Sequence, residues 1–152
     1  MIVGDQIKLS KNFTLREMIQ SVTAKRKNID NYPGVYALAQ LGELCRQILQ
    51  PIRDAWGEPI IVSSGYRCYD LNRAVGGARN SDHLHGCAAD IKTVGDIPAR
   101  NHQLYDLIRR MYKDGKLPKL KQVIDEYGYD WLHVAYQDGR SNKLGQFIHI
   151  NK

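Results

Sequence analysis

The sequence predicts an α+β fold in which helices pack on a small, mostly antiparallel sheet. Three observations carry this. One long segment has the apolar spacing of a helix, several short segments alternate as strands do, and helices and strands do not take turns regularly enough for a parallel βαβ sheet. With 152 residues, one domain spanning 1–152 is expected. Hydrophobic residues make up 43% and charged residues 25%, ordinary for a globular chain able to bury a core.

Residues 1–12 read as an extended lead-in. Thr14 and Glu17 fit a capping box, so a short helix is expected from there to about Ser21. The polar stretch 22–33 reads as a loop. From Pro33, apolar residues fall at Leu38, Leu41, Cys45, Ile48 and Ile52, which is one face of an amphipathic helix closing at Trp56-Gly57. Cys45 lies on that stripe and reads as core. Ile60–Ser64 is a strand bounded by Pro59 and Gly65. Residues 65–86 read as a long irregular stretch, and long ordered loops tend to carry function. Cys87–Thr93 alternates as a second strand. Asp96 and Pro98 open a helix to about Tyr112, with Leu104, Leu107, Ile108 and Met111 on one face. Leu120–Ile124, Trp131–Tyr136 and Phe147–Ile150 complete the expected strands.

Charge decides little about partners. Lys and Arg total 22 against 16 acidic residues, for a net charge of +6, but the basic residues are scattered. No nucleic-acid-binding motif or aromatic-interleaved basic stripe is visible, so a nucleic-acid partner is not expected. Nor is a membrane partner, because no apolar run approaches the ~20 residues of a spanning helix. No export signal is visible at the N-terminus. The three cysteines, Cys45, Cys68 and Cys87, are an odd set without a CxxC pair, which fits neither a disulfide framework nor a thiolate zinc site. A monomer is expected.

Chemistry concentrates in three segments: Ser63–Arg67, Ser81–Ile91 and Asp130–Val134. His83 and Asp90 carry donors suited to zinc, and Gly86 between them lets the backbone turn a loop ligand toward a strand ligand. The spacing alone is weak evidence. Asp90 is flanked by Ala88, Ala89 and Ile91, and a carboxylate in so apolar a strand needs a cation or a metal beside it. His133 shares a strand face with Trp131 and Ala135. Taken alone it reads as readily as a core histidine satisfied by one hydrogen bond.

Together the segments resemble the zinc D-Ala-D-Ala carboxypeptidase and L-alanyl-D-glutamate endopeptidase family of peptidoglycan peptidases, which has the hedgehog/DD-peptidase fold. The family pattern is Ser-Gly-Tyr-Arg, then Ser-x-His-x-x-Gly-x-Ala-x-Asp, then Trp-x-His-Val. Here these stand as Ser64–Arg67, Ser81–Asp90 and Trp131–Val134. Asn72 and Val75-Gly76-Gly77 also fit. The lead-in Leu9-Ser10 and the run Phe13–Glu17 are similar to the branch found in bacteria and phages, so the resemblance covers about residues 9–150.

That resemblance implies one zinc ion held by His83, Asp90 and His133, with water in the fourth position. It implies a metallopeptidase acting on peptidoglycan stem peptides, and a setting at the cell wall such as that of a phage lysin or virion component. The general base is implied at Asp130, three residues before the last ligand, with Glu126 as the alternative. Residues i and i+3 of a regular strand face opposite ways, so Asp130 would have to lie in the turn before it. Arg67 is implied to stabilise the oxyanion or grip substrate, and taken alone it reads as readily as an arginine bracing its own loop. Ser81 binds substrate or orients neighbouring groups. His85 is expected at the rim, His102 and His149 as structural residues, and Cys87 in the core. The alternative function is a non-catalytic, zinc-containing wall-binding module on the same fold.

Overall fold

The computed structural model describes residues 7–150. The N-terminal half of the lead-in lies outside the described residues; beyond it, Lys8 bridges to Thr14. Helix α1 (Leu15–Ile19) starts with the expected box: Thr14 accepts from the Glu17 backbone N–H and Glu17 reaches back to the Thr14 N–H. Its buried side chains are Leu15 and Met18.

The stretch read as a loop after Ser21 instead begins with a second short helix, α2 (Val22–Arg26). Ser21 caps it by accepting from the Ala24 N–H at 3.1 Å. It buries only Ala24, so it leaves no apolar stripe in the sequence.

The long amphipathic segment is helical throughout, in three pieces. Helix α3 (Val35–Leu44) runs into a π-helical turn (Cys45–Leu49) and then α4 (Gln50–Trp56). Leu41, Cys45, Ile48 and Ile52 are all fully buried, as the spacing predicts. Gly57 ends the run in the left-handed conformation, φ 81°, where only glycine is free of Cβ strain. Helix α5 (Tyr69–Ala74) corrects the irregular reading of 65–86; a further 3₁₀ turn (Asp82–His85) follows. Six residues are too few for periodicity to declare a helix. Cys68 starts α5, its sulfur accepting from the Leu71 N–H.

The sheet contains β1 (Ile60–Ser64), β2 (Ala88–Thr93), β3 (Leu120–Glu126), β4 (Trp131–Tyr136) and β5 (Gln146–Ile150), ordered β1-β2-β4-β3-β5. Three of the pairings are antiparallel, and β5 joins β3 in parallel. Helix α6 (Pro98–Lys113) packs with α3 and α4 on one face of the sheet. There Ile91, Val123, Leu132 and Val134 meet Leu41, Ile48, Leu104 and Ile108, and burying each such side chain stabilises by about 2 kcal/mol. Cys87 joins this core, as expected. Alternation along the strands sends Asp90, Glu126 and His133 to the opposite face, where the 3₁₀ turn contacts β2.

Candidate metal centre

The strand ladder brings two of the three candidate ligands together. Asp90 on β2 stands directly opposite His133 on β4, and His133 stands opposite Ile124 on β3. Directly paired residues share a face with Cβ atoms about 5 Å apart, so register alone makes Asp90 and His133 neighbours. The third arrives from the 3₁₀ turn. Ser81 caps that turn by accepting from the His83 N–H at 3.2 Å. Gly86 ends it at φ 72°, where an added Cβ would fall 2.4 Å from the Ala37 carbonyl oxygen of α3. Position 86 thus needs glycine for both its backbone conformation and its closeness to α3.

The result is a compact donor set. His83 Nε2 lies 3.3 Å and His133 Nδ1 3.1 Å from the same oxygen, Asp90 Oδ1. The donor atoms of all three lie within 4.8 Å of one another. His83 points its other nitrogen, Nδ1, at the Gly65 carbonyl, 2.6 Å away. A proton on Nδ1 leaves Nε2 with a free lone pair facing Asp90, the usual way a protein orients a metal-binding imidazole. Two imidazoles and one carboxylate with space beside them form a donor set that suits catalytic zinc. Burial pushes the Asp90 carboxyl up, but His83 and His133, where they act as positively charged hydrogen-bond donors to it, outweigh burial and hold the group well below the usual carboxylate range, a part a bound cation would take over. Asp90 is therefore anionic at neutral pH, as a metal ligand must be.

Arg67 completes the surroundings of Asp90. Its NH2 group lies 3.5 Å from Asp90 Oδ2, the oxygen turned away from the histidines. It also donates from Nε to Ser64 Oγ at 3.1 Å and from NH1 to Asn72 Oδ1 at 3.0 Å. These contacts brace its loop while leaving it on the wall of a cavity of about 570 Å³. That cavity is also lined by Ser81, His83, Asp90, Glu126, Trp131 and His133.

Asp130 does not line this cavity. It sits exposed in the turn between β3 and β4, its N–H donating to the Glu126 carbonyl at 3.1 Å. The turn is tight, with Tyr127, Gly128 and Tyr129 all at positive φ. It therefore does place Asp130 before the strand, as expected, in an exposed position outside the lining of that cavity. Glu126, paired with Trp131 across the ladder, does reach that face, and its carboxylate accepts from Trp131 Nε1. His85 stands apart from the three donors. His102 stacks on Tyr129 at 4.1 Å, and His149 pairs with the buried Asp125.

Sequence reasoning passed over an ionic brace beneath His83. Asp82, 9% exposed, accepts from Lys121 Nζ at 2.9 Å through both oxygens and from Arg140 NH2 at 2.8 Å. Arg140 continues to Asp138 at 2.6 Å, and Asp138 accepts from Tyr36 at 2.7 Å. The partners of Asp82 are 39 and 58 positions away, so no local pattern announces them. Removing a carboxylate from a mostly buried pair strands its cation. Asp82→Ala is expected to cost about 3 kcal/mol in urea unfolding. Loosening the turn that carries His83 should also weaken zinc affinity about tenfold in a chelator-competition titration.

Gly65 offers a second test. A Cβ there would lie 2.3 Å from the Met18 carbonyl oxygen, which is backbone and cannot swing away. Gly65→Ala is expected to destabilise by about 1–3 kcal/mol through overpacking. Because the Gly65 carbonyl orients His83, zinc affinity should fall with it, by about tenfold or more in the same titration.

Two histidines and an aspartate on the open face of an α+β sheet, with a carboxylate and an arginine on the cavity wall, are the equipment of a metal-dependent hydrolase. Comparison with known proteins agrees. A profile of the peptidase M15 family matches residues 11–130, most of the chain, and the chain belongs to that family. The match ends before His133, which the fold itself brings beside His83 and Asp90. The chain is also 34% identical, over 99 residues, to the "Zinc D-Ala-D-Ala carboxypeptidase" of Streptomyces albus G. That alignment covers 60% of this chain and 34% of the relative, so the chain spans about a third of that protein. Among the described residues, no helix is long and apolar enough to cross a membrane.

Proposed function

We propose that this chain is a zinc peptidase that hydrolyses peptide bonds in bacterial peptidoglycan stem peptides. The observation that carries this reading is the convergence of His83, Asp90 and His133 in a cavity whose wall also holds Glu126 and Arg67. Zinc in the Streptomyces relative's name, and its D-Ala-D-Ala substrate, support the metal and the substrate class.

What zinc supplies when bound is a water nucleophile at neutral pH, through a water pKa lowered to about 7. The chain's own residues do the rest. Gly65 fixes the His83 tautomer, and Arg67 holds the second oxygen of Asp90, so the donors are set before substrate arrives. Glu126 accepts the proton from the attacking water and returns it to the departing amine. The indole N–H of Trp131 keeps that carboxylate turned along the cavity wall. Arg67 offers a fixed positive charge where negative charge develops on the carbonyl oxygen. Ser81 acts through the turn it caps, holding His83 in place.

The decisive experiment is mass spectrometry of defined peptidoglycan fragments incubated with the zinc-loaded protein. Fragments with new amino groups are expected, and they should vanish when a chelator is added. A protein that binds one zinc per chain yet releases nothing from any fragment would sink the hydrolytic reading.

A further inference from the structure

The cavity at the metal does not stop at Arg67. A second hollow of about 290 Å³ shares Arg67 and Val75 with it. A third, of about 690 Å³, shares Gln20, Ser21, Val22 and Ser63 with the second. The three hollows therefore adjoin in order, from the candidate metal centre past Arg67 to the space between the α1–α2 segment and β1. Among the described residues β1 is the outermost strand and pairs with β2 alone, so one row of its main-chain groups has no strand partner there. Val62 and Ser63 of that strand line the far hollow. An extended peptide lying there would find backbone donors and acceptors along its length.

The walls of the far hollow carry charge. Arg16 on α1 and Lys25 on α2 both line it, both are exposed, and neither side chain has an ion pair or hydrogen bond among the described residues. Asp30 is the one carboxylate among the lining residues, and its Oδ1 accepts from the Tyr32 N–H at 3.0 Å. The groove is also held in shape. Asn31, 8% exposed, donates from Nδ2 to the carbonyls of Ile19 and Tyr66, both at 2.9 Å. Its Oδ1 accepts from the Cys68 N–H at 2.7 Å. One side chain thus joins the end of α1 to the loop that carries Arg67.

We propose that this groove is the remote part of the substrate cleft, and that it binds an extended acidic peptide whose carboxylates are met by Arg16 and Lys25. The proposal rests on the peptidase reading above and narrows it. The preferred substrate is a stem peptide that continues well past the cleaved bond and keeps its free carboxyl groups. A short neutral peptide carrying the same bond reaches the metal but leaves the groove empty.

The test compares the zinc-loaded protein with Arg16→Glu/Lys25→Glu on two peptides containing the bond identified by mass spectrometry. One is an acidic stem pentapeptide, the other a blocked neutral dipeptide. For the pentapeptide, KM should rise about tenfold with kcat unchanged. Neither constant should change for the dipeptide. Added NaCl should raise the wild-type KM for the pentapeptide and leave that of the variant flat, because exposed charges are screened by salt. An unchanged KM for the pentapeptide, or equal rises on both peptides, overturns the groove. The milder Arg16→Ala/Lys25→Ala pair should shift KM the same way by less, which guards against a folding defect. Calorimetric binding of the pentapeptide to zinc-loaded Glu126→Gln protein supplies a readout that needs no turnover. If no peptide is cleaved but this binding depends on Arg16 and Lys25, the hydrolytic reading falls and the groove stands. Binding indifferent to both residues removes the groove.

Discussion

Glu126→Gln is expected to lower kcat by about two to four orders of magnitude while leaving one zinc per chain. Asp130→Asn is expected to stay within about threefold of wild type, the range of a surface change remote from the chemistry. The pair of substitutions separates two carboxylates that sequence spacing could not. Glu126 lies on the ligand face, two residues along β3 from Ile124, the ladder partner of His133. Asp130 lies exposed in the turn, outside the cavity. Gln keeps the size of Glu126 and can still accept from Trp131, but it cannot take a proton from water. Steady-state kinetics with metal analysis on the same samples checks both. A large loss in Asp130→Asn with little change in Glu126→Gln would reverse the assignment.

Asp90→Ala is expected to abolish stoichiometric zinc and lower activity by about three orders of magnitude or more. Asp90 Oδ1 is the atom shared by the two histidines, and Oδ2 is the one beside Arg67. Its loss removes a ligand and leaves three groups without their anion. Thermal unfolding gives an independent readout. The three candidate ligands come from separate parts of the chain, so zinc held by them would bind the folded protein far better than the unfolded one. At a thousandfold excess over its Kd, zinc adds about 4 kcal/mol of stability. A chelator should therefore lower the melting temperature of the wild type and leave that of Asp90→Ala unmoved.

How much of this was legible in the sequence depended on how local each signal was. The stripe from Leu38 to Ile52 declared its helix because packing against the sheet demands that spacing. The π-helical turn inside it left no mark, since the stripe continues through it. Strands β1, β2 and β4 were visible from alternation and flanking turns. The parallel partnership of β5 with β3 was not, because nothing in Gln146–Ile150 encodes which strand it will meet. Helices α2 and α5 went unseen because each buries so little. At the site, spacing alone was ambiguous for His133, and the likeness of three ordered segments to a known family raised it to a ligand. The Asp82–Lys121–Arg140 brace and the placement of Glu126 are products of register and long-range contact, which no window along the chain contains.

Asn31 has a bearing on how the molecule breathes. Its amide is satisfied by three backbone groups drawn from both sides of the groove. A further main-chain tie at this seam is the Tyr66 N–H donating to the Met18 carbonyl at 2.7 Å. α1 is seated in the core through Leu15 and Met18, whereas α2 buries only Ala24, so α2 has the lower local stability and opens before the sheet does. In native-state hydrogen exchange the amides of α2 should therefore lose protection at lower free energy than those of α1, β2 and β4. Only the strand amides should report global unfolding. The candidate metal centre and the α2 side of the neighbouring hollow would then belong to two different cooperative units of one chain.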